Sequence, residues 1–195
     1  MTLLLDLDNT LVDRDAAMRA WLATIVPPSA VEPIFQLDRG GYGPKQACFA
    51  ALAQAGGVSI AEARRRFLLD FPTFVRLRSD ADALLSAWPG PTVLVTNGPG
   101  VLQRGKIAAA GLEHRLSHVV VSGEFGVDKP DPAIFHAALA LAGVPPETAR
   151  MVGDHPDNDV NGAIAAGIPA VFVRSRWFDP PPGVPVIERL TELLP

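Results

Sequence analysis

Apolar residues run along this chain in two alternating rhythms. Five brief stretches, "TLLLDLD" (2–8), "TVLVTNG" (92–98), "HVVVSGE" (118–124), "RMVGD" (150–154) and "PAVFVRS" (169–175), are rich in β-branched side chains and mostly lack polar alternation. Strands covered on both faces read this way. Between them the period lengthens. "DPAIFHAALALAG" offers Asp131 as N-cap, Pro132 in the first turn, a stripe of Ile134, Ala137, Ala138 and Leu141, and Gly143 as a stop. "NDVNGAIAAG" repeats the pattern with Val160, Ala163 and Ile164 before Gly167. Strand followed by helix, several times over, predicts an α/β fold built on a doubly wound parallel sheet.

The first crossover breaks the rhythm, because about 80 residues separate the first strand from the second, far more than one crossover helix needs. The insert reads as helical. Met18, Trp21, Leu22 and Ile25 form one stripe, and Cys48, Ala51, Leu52 and Ala55 a second; Ser59 with Glu62 suggests a capping box for a third helix. Ala81, Leu84, Leu85 and Trp88 form a fourth stripe that returns to the core. The expected division is a Rossmann-like core of residues 1–13 and 81–195 and a small α-helical domain over 14–80. "PPPG" (180–183) reads as a stiff connection to the last segment.

Composition narrows the partners. At 195 residues the chain can bury one substantial core with a smaller insert. A net charge of -4 and a pI near 5.5 leave no electrostatic footprint for nucleic acid. The one basic cluster, Arg64-Arg65-Arg66, reads as a solvated helix face. A single cysteine, Cys48, excludes an intrachain disulfide framework and reads as a buried thiol. Strand-like residues follow Met1 directly, with no secretory or membrane-spanning pattern, so the expectation is a cytoplasmic protein without a membrane partner. A monomer or homodimer is the base expectation.

In open parallel sheets, ligands gather beyond the carboxyl ends of the strands. There the first strand presents Asp6 and Asp8, the second Thr96 and Asn97, and the loop after the third Lys129. The fourth ends in Asp154, with Asp157 and Asp159 on the turn that follows. Two carboxylates about 4 Å apart repel by about 4 kcal/mol at an effective dielectric of 20, so such a cluster calls for protons or a cation. Mg²⁺ suits a hard, all-oxygen donor set. Those surroundings argue against His155 as a ligand, and His114 with His118 lacks the company a zinc site needs.

Four motifs in order, "DLDNT" (6–10), "TNG" (96–98), "KPDP" (129–132) and "GDHPDND" (153–159), resemble the haloacid dehalogenase-like hydrolase superfamily, in its subgroup with a helical cap inserted after the first motif. The resemblance implies an Mg²⁺-dependent phosphatase acting on a small phosphorylated metabolite through an aspartyl-phosphate. Asp6 would be the nucleophile, and Asp8 the acid and then the base. Asp6, the backbone carbonyl of Asp8, and Asp154 would hold the metal, with Asp159 acting through water or by holding Lys129. Thr96, the amide of Asn97 and Lys129 would bind the phosphoryl oxygens. Asn9 stands where many relatives have Gly, and both tolerate a left-handed backbone; Thr10 would fix that turn or orient Asp8.

Asp13 and Asp15 read as helix caps at the hinge into the cap. Within the cap, "LDRGGYGPK" (37–45) bears Arg39, Tyr42 and Lys45, of which Arg39 and Lys45 are expected to meet substrate. Three other activities fit parts of this pattern. A haloacid dehalogenase shares the first aspartate but lacks the second, a phosphomutase would use the same residues, and a phospho-accepting signalling receiver carries its aspartate on the third strand.

Overall fold

The computed structural model describes residues 1–195. Six parallel strands, β1 (Thr2–Leu5), β2 (Thr92–Thr96), β3 (His118–Val121), β4 (Ala149–Gly153), β5 (Ala170–Val173) and β6 (Val186–Ile187), stand in the order β3-β2-β1-β4-β5-β6. Nine helices connect or flank them: α1 (Arg14–Leu22), α2 (Pro28–Asp38), α3 (Lys45–Gly56), α4 (Ile60–Leu69), α5 (Ser79–Ala87), α6 (Gly100–Ala109), α7 (Ser122–Phe125), α8 (Pro132–Ala142) and α9 (Gly162–Ala165). The chain is a doubly wound, Rossmann-like α/β protein.

Side chains alternate between the two faces of the sheet, and both faces are apolar. Leu3, Leu5, Leu94, Val121, Val152, Val171 and Val173 enter one core, which also holds Met18, Trp21, Phe35, Phe67 and Phe71 from the helical insert. Leu4, Val93, Val95, Val120, Met151 and Phe172 enter the other, closed by Ile134, Phe135, Ala138 and Leu139 of α8 and by Ala163 of α9. Burial on both sides is why these strands carry no polar alternation.

Several sequence expectations need correcting. The strands are shorter than the runs suggested, because the chain leaves the sheet at Asp6 and Asp154, where the chemistry-bearing residues begin. The buried stripe of α8 is Ile134, Phe135, Ala138 and Leu139; Leu141 is half exposed beside the edge strand β3. Residues 156–161 form a π-helical turn ahead of α9, and Ile164 faces outward. The pattern missed α2, which carries Pro33 inside it, and the two-residue strand β6.

The chain enters the segment containing α1–α4 and leaves it along neighbouring paths. Val12 bridges Leu77 in antiparallel fashion, and Arg78 N donates to Leu11 O at 3.0 Å. Asp13 caps α1 through Ala16 N at 2.9 Å, as its position suggested. Ser59 caps α4 through Glu62 N, but the Glu62 carboxylate turns away to Arg65 and Arg66. The turn at 71–74 packs against α6, and α5 packs against the 3-10 turn at 190–193. No helix is long and apolar enough to cross a membrane.

Candidate active site

Strand order reverses between β1 and β4, whose following connections pass to opposite faces of the sheet, and such a switch point leaves a crevice at the carboxyl ends. Asp6 follows β1 directly, held by its amide on Val152 O at 3.0 Å; Asp154 follows β4; Thr96 ends β2. The ligand atoms of Asp6, Asp154 and Asp159 all lie within 4.8 Å of one another, and all three residues are buried.

Lys129 is the cation at their centre. Its Nζ donates to Asp6 Oδ1 at 2.7 Å and to Asp159 Oδ1 at 2.6 Å. Burial works against the ammonium, but Asp159 and Asp6 outweigh it and raise its pKa. Asn97 holds the Lys129 backbone at both ends, donating from Nδ2 to its carbonyl and accepting from its amide at Oδ1, each at 2.8 Å. The second oxygen of Asp159 accepts from His155 N at 3.0 Å. Both its oxygens are therefore engaged by the protein. Gly153 makes this approach possible, since a Cβ there would collide with the Asp159 carboxylate.

One lysine cannot balance three buried carboxylates, and the pKa values of Asp6 and Asp154 register the shortfall. Burial pushes Asp6 up to about 7 despite Lys129, with Asp159 and Asp8 adding to the rise. Burial, with Asp6 and Asp159 beside it, raises Asp154 well above the usual carboxylate range. A divalent cation would neutralise the set, and the donors are all oxygen. Asp6 Oδ2 and Asp154 Oδ1 carry no hydrogen bond, whereas Asp154 Oδ2 accepts from Ser175 Oγ at 3.1 Å. The residues present fit a hard divalent ion.

Asp8 lies apart from that cluster. Its Oδ2 accepts from Lys106 Nζ at 2.6 Å, and its Oδ1 is buried without a hydrogen-bond partner. Burial alone would raise its pKa, but Lys106 and Arg14 outweigh it and lower it. Asn9 does adopt the left-handed backbone, with φ of 58°. Thr10 does not orient Asp8, because its buried hydroxyl has no partner; Lys106 takes that place.

The helical insert covers the site. Tyr42 stacks on His155, ring centroids 4.3 Å apart, and meets Phe178 at 5.3 Å. Tyr42 is 44% exposed, but desolvation of its phenol end and the Asp159, Asp6 and Asp154 charges beside it raise the phenol pKa. His155 receives the Asp157 and Asn158 amides on Nδ1, a loop-holding role in keeping with its exclusion as a ligand. Trp177 Nε1 donates to Asp15 Oδ2 at 2.8 Å, and the ring lies against Gly40 and Phe35. Asp15 does not cap α1, a role that Asp13 fills; its carboxylate accepts from Asn9 Nδ2 and Trp177 Nε1 and so links the core to the insert.

Arg39 and Lys45 are not brought to the carboxylates. The Arg39 side chain is exposed and makes no hydrogen bond or ion pair, and Lys45 donates to Gly41 O and lies 3.8 Å from Asp38. From the same loop it is Tyr42 that approaches the acids. Sequence reading also missed Arg14, Gln103, Lys106 and Ser175. Arg14 is buried and bidentate to Asp38, at 2.5 and 3.1 Å. Its signal was present: Arg14 stands on the stripe of Ala17, Met18 and Trp21, and Lys106 on that of Leu102, Gln103 and Ile107. A charge in a buried stripe needs a partner.

Fold and site together define an α/β protein with an acid-lined crevice at the switch point of a Rossmann-like sheet. The profile of the haloacid dehalogenase-like hydrolase family matches residues 1–167, and the chain belongs to that family. It is 44% identical over 131 residues to the phosphoserine phosphatase of Thermus thermophilus, covering 63% of this chain and 51% of that protein. It is 45% identical over 80 residues to the glyceraldehyde 3-phosphate phosphatase of Methanopyrus kandleri, covering 41% of this chain and 34% of the relative. The chain thus spans about half the length, or less, of these curated relatives.

Among solved structures, the HAD-hydrolase YfnB from Bacillus subtilis bound to magnesium superposes with a TM-score of 0.76 at 23% identity, covering 98% of this chain and 96% of that one. The L-2-haloacid dehalogenase of Xanthobacter autotrophicus also reaches 0.76, at 19% identity and with coverage of 98% and 96%. At these identities both likenesses speak to the fold alone.

Proposed function

We propose that this protein is an Mg²⁺-dependent phosphatase that hydrolyses a small phosphate monoester through a phosphorylated Asp6. The observation that carries the reading is the cluster of Asp6, Asp154 and Asp159, three buried carboxylates with one lysine among them. Displacement of halide by a lone aspartate has no use for that excess of negative charge. Phosphoryl transfer does, since a bound cation offsets charge on both the cluster and the phosphate. Asp8 adds the proton donor that a departing alkoxide needs. The curated relatives named above support the substrate class.

In this reading Asp6, Asp154 and the Asp8 backbone carbonyl hold Mg²⁺, with Asp159 behind them on Lys129. The ion supplies charge neutralisation and orientation of the phosphate. Asp6 attacks phosphorus in line, and the P–O bond to the leaving group breaks as Asp8, which takes up a proton when the negative phosphate is bound beside it, passes that proton to the departing oxygen. Asp8, now a carboxylate, takes a proton from the water that cleaves the aspartyl-phosphate and regenerates Asp6. Thr96, the Asn97 amide and Lys129 bind the phosphoryl oxygens and stabilise the charge that develops there. Residues 14–80 serve as the cap, with Tyr42 and Trp177 at its contact with the core, and exclude water between the steps. Substrate-facing roles for Arg39 and Lys45 would require the 37–45 loop to rearrange. The core is residues 1–13 and 81–195.

Phosphate release across a panel of small phosphate esters, with Mg²⁺ and with chelator, tests the reading. Turnover should require Mg²⁺ and vanish in Asp6→Asn. An Asp6→Asn protein as active as the wild type on p-nitrophenyl phosphate would refute it.

A further inference from the structure

Helix α6 carries two polar side chains that the scheme above leaves unused. Gln103 is fully buried and Lys106 is 2% exposed. They stand three residues apart, so they share the face that α6 turns to the core beside Leu102 and Ile107. An ammonium so placed costs several kcal/mol to bury unless it is well paired, so its partner identifies its use. That partner is Asp8, 98 residues away in sequence, reached at 2.6 Å through Oδ2. The Phe71 ring, from the turn after α4, lies 5.6 Å from the same Nζ and helps confine it.

Each of these side chains takes one atom of a motif residue and leaves another free. With Oδ2 on Lys106, Asp8 keeps Oδ1, which is buried and accepts no hydrogen bond. Gln103 Nε2 donates to Thr96 Oγ1, so the Thr96 hydroxyl acts as acceptor toward α6 and retains its own hydrogen for another acceptor. The torsion that turns a carboxyl group is soft, so an unheld Asp8 would present either oxygen in many orientations. A held one keeps a single orientation.

We propose that Gln103 and Lys106 are positioning residues for the phosphatase chemistry, a role that rests on the function proposed above. Lys106 holds Asp8 Oδ2 and so fixes the orientation in which the Asp8 carboxyl group meets the leaving-group oxygen, and Gln103 turns the Thr96 hydroxyl hydrogen toward the phosphoryl group. In the first step the proton moves from the Asp8 carboxyl group to the leaving oxygen as the P–O bond breaks. The carboxylate that remains is already paired with Lys106. The two roles differ in signature: Lys106 acts on leaving-group departure, whereas Gln103 acts on the phosphoryl group common to every substrate.

The test compares kcat/KM for phenyl phosphate and p-nitrophenyl phosphate, with Mg²⁺, in wild type, Lys106→Met, Lys106→Arg and Gln103→Leu. The esters are alike in shape, but p-nitrophenolate departs readily without a proton and phenolate does not. Lys106→Met should lose about 30-fold on phenyl phosphate and only about threefold on p-nitrophenyl phosphate, part of the 10²–10⁴-fold that a positioned acid supplies. Lys106→Arg should recover much of the ratio. Gln103→Leu should lose about tenfold on both and keep the wild-type ratio. Both esters are assayed on one preparation, so any misfolded fraction cancels in the ratio.

Equal losses on the two esters in Lys106→Met, or none, overturn the role of Lys106. A changed ratio in Gln103→Leu, or undiminished rates, overturns that of Gln103. Wild-type protein inactive on both esters and on the wider panel would instead overturn the phosphatase reading, and the positioning roles with it.

Discussion

Burial holds the Asp6 carboxyl at about 7, up from 3.8, with Lys129 pulling it down and Asp159 and Asp8 pushing it up. An acid whose pKa is higher folded than unfolded binds more protons in the native state between those two values. The metal-free protein must therefore lose stability as pH rises through that window. From about pH 5 to about pH 7 the loss is about 1.4 kcal/mol per unit, or about 3 kcal/mol from Asp6 alone. For a chain of this size that corresponds to about 6–12 °C in Tm.

Asp154, also raised, adds in the same direction. Asp8, Asp38 and Asp80, all lowered, have completed their contribution by about pH 5. His155, lowered, works the other way by gaining stability as pH rises through its unfolded value of 6.5. The Asp6→Asn protein isolates the aspartate from these. Thermal unfolding in chelator, from about pH 5 to about pH 8, should show wild-type Tm falling relative to Asp6→Asn by about 6–12 °C. Saturating Mg²⁺ should restore the wild type most at the alkaline end, because the cation takes ionised carboxylates. A wild type that tracks Asp6→Asn at every pH, or Mg²⁺ stabilisation as large at the acid end, would refute the reasoning.

Two further perturbations probe the insert and the cluster. Arg14→Leu leaves the buried Asp38 carboxylate with only the Gly41 amide and Lys45 at 3.8 Å, and should cost about 3 kcal/mol in denaturant unfolding, much of it recovered by adding Asp38→Leu; a single variant as stable as wild type would show that the pair is not what holds α1 to α2. Gly153→Ala places a methyl on the Asp159 carboxylate and should weaken Mg²⁺ binding by about tenfold or more in calorimetric titration. Unchanged affinity would remove Asp159 from the support of the site.

Much of the site was legible because each motif residue sits where an apolar run stops. Asp6, Asp154 and Thr96 mark the ends of β1, β4 and β2, and Lys129 stands in the loop after the third strand, within "KPDP". Less legible was which polar residue meets which. Thr10 is next but one to Asp8 and makes no hydrogen bond to it through its hydroxyl; Lys106 is 98 residues away and does bond it. Arg39 and Lys45 looked like substrate contacts because they are cations in a glycine-rich loop, yet Arg39 is exposed and unpaired while Lys45 is turned to Gly41 and Asp38. Helix α2 escaped notice because Pro33 interrupts its pattern, although tertiary packing of Ile34 and Phe35 holds it.

The sequence by itself determined the alternation of strand and helix, the long insertion after the first strand, and the polar residues gathered at the strand ends. Hydrophobic period and turn chemistry are local, so they can be read locally. Only the tertiary structure decided that Lys129 bridges Asp6 and Asp159, that Asp8 keeps one oxygen for Lys106 and one unpaired, and that Tyr42 and Trp177 seat the insert against the core. Those pairings join residues from separate strands and helices across the crevice. The lysine pairings among them are settled by the cost of burying a charge without a partner, and that cost depends on the surroundings the whole fold creates.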